Sequence, residues 1–222
     1  MSKRIESIVN TQFIYLDVHR LLRIILAFAS FYYMPFDYVK ATVAYIVSGL
    51  LDAIDGHAAR YFNQSTKFGA FLDMLTDRCV TTCLLMMLSV FYPSYLIIFQ
   101  TLVALDITSH WIHVQSALMK GDTSHKKIDL SGNYFLRIYY KKLILFTFCA
   151  GNELFFCLLY LLHFTSGPVM TMAGISFGLW KALAWVTAPI CFLKQTVSVI
   201  QLYAACYNVA LIDEAERAKV TN

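Results

Sequence analysis

Four aspartates stand in otherwise apolar sequence, at spacings typical of a shared helix face. Asp52 and Asp55 lie three residues apart, and Asp73 and Asp77 lie four apart. Residues at these separations are neighbours on one side of a helix. Because a carboxylate in a membrane costs free energy, such residues indicate a functional site. An oxygen-only ligand set favours a hard cation, Mg²⁺ or Mn²⁺, rather than zinc.

The composition indicates that these acids belong to a membrane protein. Of the 222 residues, 59% are hydrophobic and only 14% are charged, which is too apolar for an ordinary soluble domain. Lipid offers no partners to open backbone groups, so each apolar stretch of sufficient length should be a helix. We therefore predict an all-α membrane protein with six transmembrane helices. The predicted spans are 18–35, 38–61, 68–92, 95–118, 143–164 and 179–203.

The six spans are expected to form one domain, since no connection is long enough to hold a second. We predict a short N-terminal interfacial segment at residues 1–17, a six-helix transmembrane domain at 18–212 and a cytosolic tail at 213–222. Ile5, Ile8 and Phe13 could line the membrane-facing side of the N-terminal segment. The six cysteines show no metal-ligand spacing and are interpreted as buried small apolar residues.

The distribution of charge predicts the orientation of the spans. Basic residues concentrate near both termini and in alternate connections, whereas residues 93–94 and 165–178 carry no charge. The positive-inside rule then places both termini and the basic connections in the cytosol. The aspartates would lie at the cytosolic ends of the second and third spans, where a site would face cytosolic solutes.

The second and third spans should be antiparallel neighbours, because the connection from residue 61 to residue 68 is short. The two aspartate pairs would then face each other, and four carboxylates could hold one metal ion or a close pair. Gly56, Ala59 and Gly69 are small where the backbones would approach. The alternative is an acidic face without metal. The cations that would neutralise it are Arg60, Lys67 and Arg78.

The acids belong to a longer pattern that resembles the signature of the CDP-alcohol phosphatidyltransferases. The pattern runs Asp52-x2-Asp55-Gly56-x2-Ala59-Arg60-x8-Gly69-x3-Asp73-x3-Asp77. Further stretches resemble the branch of that family that uses inositol as its acceptor, and the likeness extends over nearly the whole chain. These stretches are residues 48–52, 125–133, 136–140 and 149–154.

The resemblance implies a membrane enzyme, usually dimeric, that transfers the phosphatidyl group from CDP-diacylglycerol to myo-inositol and releases CMP. It also implies a location in the endoplasmic reticulum membrane and a homodimer. Membrane lipid and the two substrates are the expected partners, and no nucleic acid is expected. Residues 18–212 would then be the catalytic domain.

The resemblance also implies roles for residues at matching positions. Two divalent ions, Mg²⁺ or Mn²⁺, would be bound by Asp52, Asp55, Asp73 and Asp77. Asp77 would also be the general base, since a carboxylate within reach can accept the proton of an attacking hydroxyl. Arg60 offers a planar fork of donors to phosphate. The CDP-diacylglycerol head would contact Gly56, Arg60 and Thr66.

The acceptor pocket is a separate hypothesis. Inositol is a neutral polyol and needs many hydrogen-bonding groups. Asp106, His110 and His113 lie at helical spacing near the cytosolic end of the fourth span, and Arg137 lies in the basic connection that follows. We hypothesise that Asp106, His110 and Arg137 bind inositol. The alternative is a polar packing network in which Asp106 holds His110. A structural hydrogen-bonding role is expected for Asn152.

Two further alternatives concern the function as a whole. An enzyme of the same family could use another acceptor, such as glycerol phosphate. A protein of a different class, a divalent-cation carrier or a non-catalytic cation-binding scaffold, could also present these acids.

One departure from the family pattern stands before the first span, where relatives usually carry Pro-Asn and this chain has Leu16-Asp17. That departure affects the nucleotide contacts and leaves the metal pattern intact.

Overall fold

The computed structural model describes residues 19–61, 67–119, 139, 141–172 and 175–221. Helices account for most of this part of the chain. The helices are α1 (19–33), α2 (Tyr38–Tyr61), α3 (Lys67–Phe91), α4 (Leu96–Met119), α5 (Lys142–Phe164) and α6 (Leu179–Thr221). A short 3₁₀ helix, Pro93–Tyr95, precedes α4. The predicted interfacial segment at 1–17 lies outside the described residues.

The described helices match the positions of the six predicted spans, and four of them are long and apolar enough to cross a membrane. These four candidate spans are Phe68–Phe91, Pro93–Ser116, Leu143–Phe164 and Leu179–Ala218. Large apolar side chains on their surfaces are exposed, as expected for contact with lipid. Examples are Phe146, Trp185 and Phe192. The described part of α1 is too short to count as a candidate span. α2 is long enough but less apolar, because it carries Lys40, Asp52 and Asp55.

The chain divides into two compact units, residues 1–87 and 88–222, with the boundary inside α3. In the first unit, two buried serines join α1 to α2. The Ser30 hydroxyl donates to the Ala41 carbonyl at 2.9 Å, and the Ser48 hydroxyl donates to the Arg23 carbonyl at 3.0 Å. Ser48 lies seven residues after Ala41, and Arg23 lies seven residues before Ser30. The two bonds therefore define one antiparallel register, two helical turns apart.

Asp37 caps the N-terminus of α2. Its Oδ1 accepts hydrogen bonds from the backbone N–H groups of Val39 and Lys40, each at 3.1 Å. A side-chain oxygen at this position satisfies donors that have no partner inside the helix. The bond from the Lys40 N–H is the main cause that lowers the pKa of Asp37. The turn between α1 and α2 is thus fixed by its own residues.

In the second unit, α6 packs against both α4 and α5. Gly151 of α5 lies directly against Ile190 of α6, since a Cβ added to the glycine would lie 2.6 Å from Ile190 Cγ2. Near the C-terminal end of α5, the Phe91 ring stacks on the His163 ring, with the ring centroids 3.9 Å apart. The Tyr92 hydroxyl donates to the Leu159 carbonyl at 2.9 Å.

A β-hairpin between α5 and α6 was not predicted. Strands β1 (Val169–Met172) and β2 (Ile175–Gly178) pair antiparallel, with Val169 opposite Gly178 and Thr171 opposite Ser176. β-branched and aromatic residues in the two strands favour this conformation. Gly167, with a φ of 76°, begins the segment in a conformation that side-chain-bearing residues rarely adopt.

Helix α6 continues well past the predicted end of the sixth span at residue 203. Its 43 residues correspond to about 65 Å of helix, about twice the thickness of a bilayer's hydrocarbon core. The sequence after Pro189 contains no glycine or proline to end the helix. Asp213 and Arg217 are four residues apart, a spacing that supports an exposed helix. The predicted tail at 213–222 is therefore helical through residue 221.

The prediction that all six cysteines are buried is wrong. Cys191 is buried, Cys83 and Cys157 are half-buried, and the other three are exposed. The exposed cysteines lie on helices that are long and apolar enough to cross a membrane. They are Cys79, Cys149 and Cys206.

Gly151→Ala is expected to lower the thermal stability of the purified protein. The added methyl would have to displace Ile190, and overpacking of this kind typically costs about 1–3 kcal/mol. That cost exceeds or cancels the gain of about 1 kcal/mol in helix propensity. Adding Ile190→Ala should restore stability by removing the clashing group. Gly49→Ala is the matched control, because nothing lies within 4 Å of its added Cβ. Equal melting temperatures for both glycine variants would contradict the close approach.

Candidate metal and catalytic site

Three of the four aspartates in the pattern come together within the first unit. Asp52 of α2 and Asp73 and Asp77 of α3 each offer a carboxylate oxygen, and these oxygens all lie within 4.8 Å of one another. The side chains are partly accessible, with exposed fractions of 29%, 50% and 40%. They therefore combine mutual proximity with access for a ligand. This group is called the carboxylate cluster below.

The predicted helical spacing explains how α3 contributes two members of the carboxylate cluster. Asp73 and Asp77 are one turn apart, so both side chains project from one face of the helix. Gly69, one further turn back, is buried. Asp55, Gly56 and Arg60 belong to α2, but the surroundings of these three residues lie outside the described part. Thr66 and Arg137 also fall outside the described residues.

A cation that the sequence analysis did not assign to the site lies within it. Arg23 of α1 is buried, and its side chain is only 6% exposed. Its Nη1 donates to Asp73 Oδ1 at 2.7 Å and forms an ion pair with Asp52. Its Nη2 donates to Asp77. One guanidinium therefore contacts all three members of the carboxylate cluster.

The position of Arg23 follows from the α1–α2 register. Its carbonyl accepts the Ser48 hydroxyl bond, and Asp52 lies one turn beyond Ser48 along α2. A long, forked side chain from Arg23 can therefore reach the carboxylates while its backbone stays opposite Ser48. No local spacing in the sequence connects Arg23 with acids that lie 29 to 54 residues further along.

The sequence analysis had named Arg60, Lys67 and Arg78 as the possible neutralising cations. The side chains of Arg60 and Lys67 are not described, and Arg78 directly follows Asp77 on α3. The described cation that touches the whole carboxylate cluster is Arg23. Three carboxylates and one guanidinium leave a formal charge of −2. The all-oxygen donor set of the three acids fits Mg²⁺ or Mn²⁺.

A second polar group lies in the second unit, between α4 and α6. Lys194 Nζ donates to Asp106 Oδ1 at 3.0 Å, and both side chains are almost fully buried, at 6% and 5% exposed. His110 Nδ1 lies 2.7 Å from the backbone carbonyl of Asp106. Since a carbonyl can only accept, Nδ1 carries the hydrogen, which makes Nε2 the acceptor nitrogen of the neutral ring. Asp106 and His110 thus belong to one network, as the polar-packing alternative expected.

Lys194 was missed because it stands alone in the apolar sequence of the sixth span. A buried lysine is rare unless it is paired, so a search for its acidic partner on another span could have suggested Asp106.

Neighbouring residues of α6 bind α5. Gln195 Nε2 donates to Asn152 Oδ1 at 2.8 Å, and the Cys191 thiol donates to the same oxygen at 3.2 Å. The structural role predicted for Asn152 is confirmed.

Comparison with known proteins assigns the chain to a family. The family model described as CDP-alcohol phosphatidyltransferase matches residues 16–217. Because this match spans most of the sequence, the chain belongs to the CDP-alcohol phosphatidyltransferase family. The resemblance drawn from the aspartate pattern is therefore confirmed. No solved structure gives a significant match.

Curated relatives cover almost the full chain. A human protein is 55% identical over 198 residues, which are 89% of this chain and 91% of the relative. A Drosophila melanogaster protein is 48% identical and covers 88% and 84% of the two chains. A Schizosaccharomyces pombe protein is 40% identical and covers 98% and 97%. Each of these relatives is named CDP-diacylglycerol–inositol 3-phosphatidyltransferase.

Lys194→Met is expected to destabilise the protein strongly. It removes the cation that faces the buried Asp106 carboxylate, and breaking a buried pair in this way costs about 3–5 kcal/mol. The double variant Asp106→Leu/Lys194→Met should recover most of the loss, because neither charge then remains. Lys181→Met, an exposed lysine of the same helix, is the control. Melting temperatures in detergent provide the measurement. A single variant as stable as the control would show that the pair contributes little.

Proposed function

We propose that this protein transfers the phosphatidyl group from CDP-diacylglycerol to myo-inositol, giving phosphatidylinositol and CMP. The observation that carries the proposal is the carboxylate cluster, three acids with oxygens within 4.8 Å, in a chain of the CDP-alcohol phosphatidyltransferase family. The names of relatives up to 55% identical over most of the chain support inositol as the acceptor. They favour inositol over glycerol phosphate and favour an enzyme over a cation carrier.

The carboxylate cluster is proposed to hold the metal of the reaction, together with Asp55 from the same pattern. These acids would hold two divalent ions, Mg²⁺ or Mn²⁺, and the positive charge that such ions supply would stabilise the diphosphate and the departing CMP. The residues themselves fix the position of the donors. Asp73 and Asp77 are spaced by one turn of α3, and Asp52 is supplied by α2.

Asp77 is proposed as the general base. An inositol hydroxyl must lose its proton as its oxygen attacks the β-phosphorus, while the bond to the CMP oxygen breaks and CMP leaves with that electron pair. A carboxylate in hydrogen-bonding reach can accept this proton. With 40% of its side chain exposed, Asp77 is accessible to a substrate. Its Oδ1 is engaged by Arg23, and a carboxylate has a second oxygen with which to accept a proton.

The CDP-diacylglycerol head is proposed to contact Gly56, Arg60 and Thr66, which match the family pattern. Gly56 permits close approach of the backbone, and Arg60 supplies a permanent cation with a planar donor fork. The acceptor is proposed to contact Asp106, His110 and Arg137. In the neutral ring, His110 Nε2 can accept a hydrogen bond from an inositol hydroxyl.

The proposed setting is the endoplasmic reticulum membrane, with six transmembrane helices in a catalytic domain at residues 18–212. α1 and α2, added to the four candidate spans, would give the six transmembrane helices. Basic residues near both termini and in alternate connections support cytosolic termini and a cytosolic active site. A homodimer is proposed from the family alone. The acyl chains of the substrate would remain in lipid while its head reaches the carboxylate cluster.

The direct test is CMP release from CDP-diacylglycerol by purified protein with Mn²⁺ or Mg²⁺ and a panel of alcohols. Inositol should support release, and glycerol phosphate should not. Asp77→Asn should lower turnover by about 10²-fold or more, the usual contribution of a general base. Asp213→Asn, a carboxylate near the end of α6, is the control. Release with glycerol phosphate alone would identify another acceptor, and no release with any alcohol would favour the carrier or scaffold.

His110→Ala and Arg137→Ala test the acceptor contacts. Each variant should raise the KM for inositol by about tenfold, the size expected from one lost hydrogen bond to a substrate, and leave the KM for CDP-diacylglycerol unchanged. Thr108→Ala is the control for His110, because Thr108 is exposed on the same helix and donates to the Ala104 carbonyl. Unchanged inositol KM values in both variants would remove these residues from the acceptor site.

A further inference from the structure

The contacts of Arg23 raise a question about how metal enters the carboxylate cluster. Its two terminal nitrogens contact Asp52, Asp73 and Asp77, the same three acids whose oxygens lie within 4.8 Å of one another. Each contact uses an Oδ1 atom. The guanidinium is therefore bound by the group of oxygens that offers a metal its ligands.

The main chain of Arg23 is held by hydrogen bonds between α1 and α2, whereas its guanidinium lies at the end of a long side chain. The hydrogen bond from Ser48 to the Arg23 carbonyl and the bond from Ser30 to the Ala41 carbonyl hold α1 against α2. Arginine carries its charge on a long side chain with several rotatable bonds. The guanidinium can consequently change partners without any movement of the helices.

A metal ion and the guanidinium compete for the carboxylate cluster. Both are cations, and two cations a few ångströms apart in a partly buried site repel each other strongly. Both also use the lone pairs of the same carboxylates. A guanidinium displaced from carboxylates suits phosphate oxygens equally well, because its planar fork of N–H donors matches both groups. The diphosphate of the substrate would bring such oxygens to this place.

From this geometry we infer that Arg23 is a resident counter-cation of the metal site and a further substrate-binding residue. Its guanidinium, in contact with Asp52, Asp73 and Asp77, offsets part of their charge. When divalent ions bind, it leaves the carboxylates and donates to the diphosphate of CDP-diacylglycerol. The first step concerns the protein and metal alone. The second step rests on the proposed function, since it requires that substrate.

Mn²⁺ binding to the purified full-length protein, followed by electron paramagnetic resonance without substrate, tests the first step. Arg23→Gln should bind Mn²⁺ more tightly than the parent, on the order of tenfold, because a charged competitor for the same oxygens is gone. In EDTA the same variant should melt below the parent, and saturating Mn²⁺ should close that gap. Unchanged or weaker Mn²⁺ binding would overturn the inference.

Two further variants keep this test decisive. Arg23→Lys retains the charge, so it should fold even if Arg23→Gln does not. A single ammonium cannot span three carboxylates as the fork does, so the Mn²⁺ affinity of Arg23→Lys should exceed that of the parent. An affinity at or below the parent value contradicts the inference. Lys40→Gln removes one positive charge whose partner is Asp37, 3.0 Å away, and should leave Mn²⁺ binding unchanged.

Steady-state kinetics test the second step. Arg23→Lys should raise the KM for CDP-diacylglycerol by about tenfold through loss of bidentate phosphate contacts, with the KM for inositol unchanged. An unaltered KM for CDP-diacylglycerol would overturn this step. If the parent protein releases no CMP with any alcohol, the proposed function fails instead. The Mn²⁺ affinities of the parent and the Arg23 variants would still decide the first step.

Discussion

The pairing of Arg23 with three carboxylates is the interaction on which the first unit depends. Asp52, Asp73 and Asp77 are close enough to repel one another, and their helices lie in apolar sequence where bare charge is unfavourable. One guanidinium, donated by α1, offsets part of that repulsion. The same arrangement leaves a formal charge of −2 on the four side chains, so the three acids are only partly neutralised. The acids that join α2 and α3 to Arg23 are also the acids to which the proposed function assigns the metal.

Local sequence patterns predicted the helices and the acidic side of this interaction, but not its cation. Runs of apolar residues of sufficient length located α1 to α6, and helical spacing placed Asp73 and Asp77 on one face of α3. The role of Arg23 was not predicted, because its partners lie far along the chain and residue spacing identifies only neighbours on the same helix. The β-hairpin and the helical tail were not predicted for another reason. Both adjoin long apolar stretches, and the sequence prediction followed the hydropathy of those stretches alone.

The polar network of the second unit has a different character. Asp106 and Lys194 are each about 5% exposed and face each other across α4 and α6. A buried pair of this kind contributes specificity of packing more dependably than it contributes stability. Asn152 extends the network to α5 through Gln195 and Cys191. His110, at 30% exposed, is the more accessible member. The Asp106–Lys194 pair joins α4 to α6, and His110 is the most exposed of the three side chains.

The helix that carries half of the acidic pattern, α2, is not among the candidate membrane spans. Its 24 residues are long enough for a bilayer. Its acids lower its hydropathy because charged residues are the least favourable in lipid. The acids that would serve the proposed site are therefore the residues that make α2 less apolar than the candidate spans. Three contacts join α2 to α1: the Ser30 hydroxyl of α1 donates to the Ala41 carbonyl of α2, the Ser48 hydroxyl of α2 donates to the Arg23 carbonyl of α1, and Asp52 pairs with Arg23.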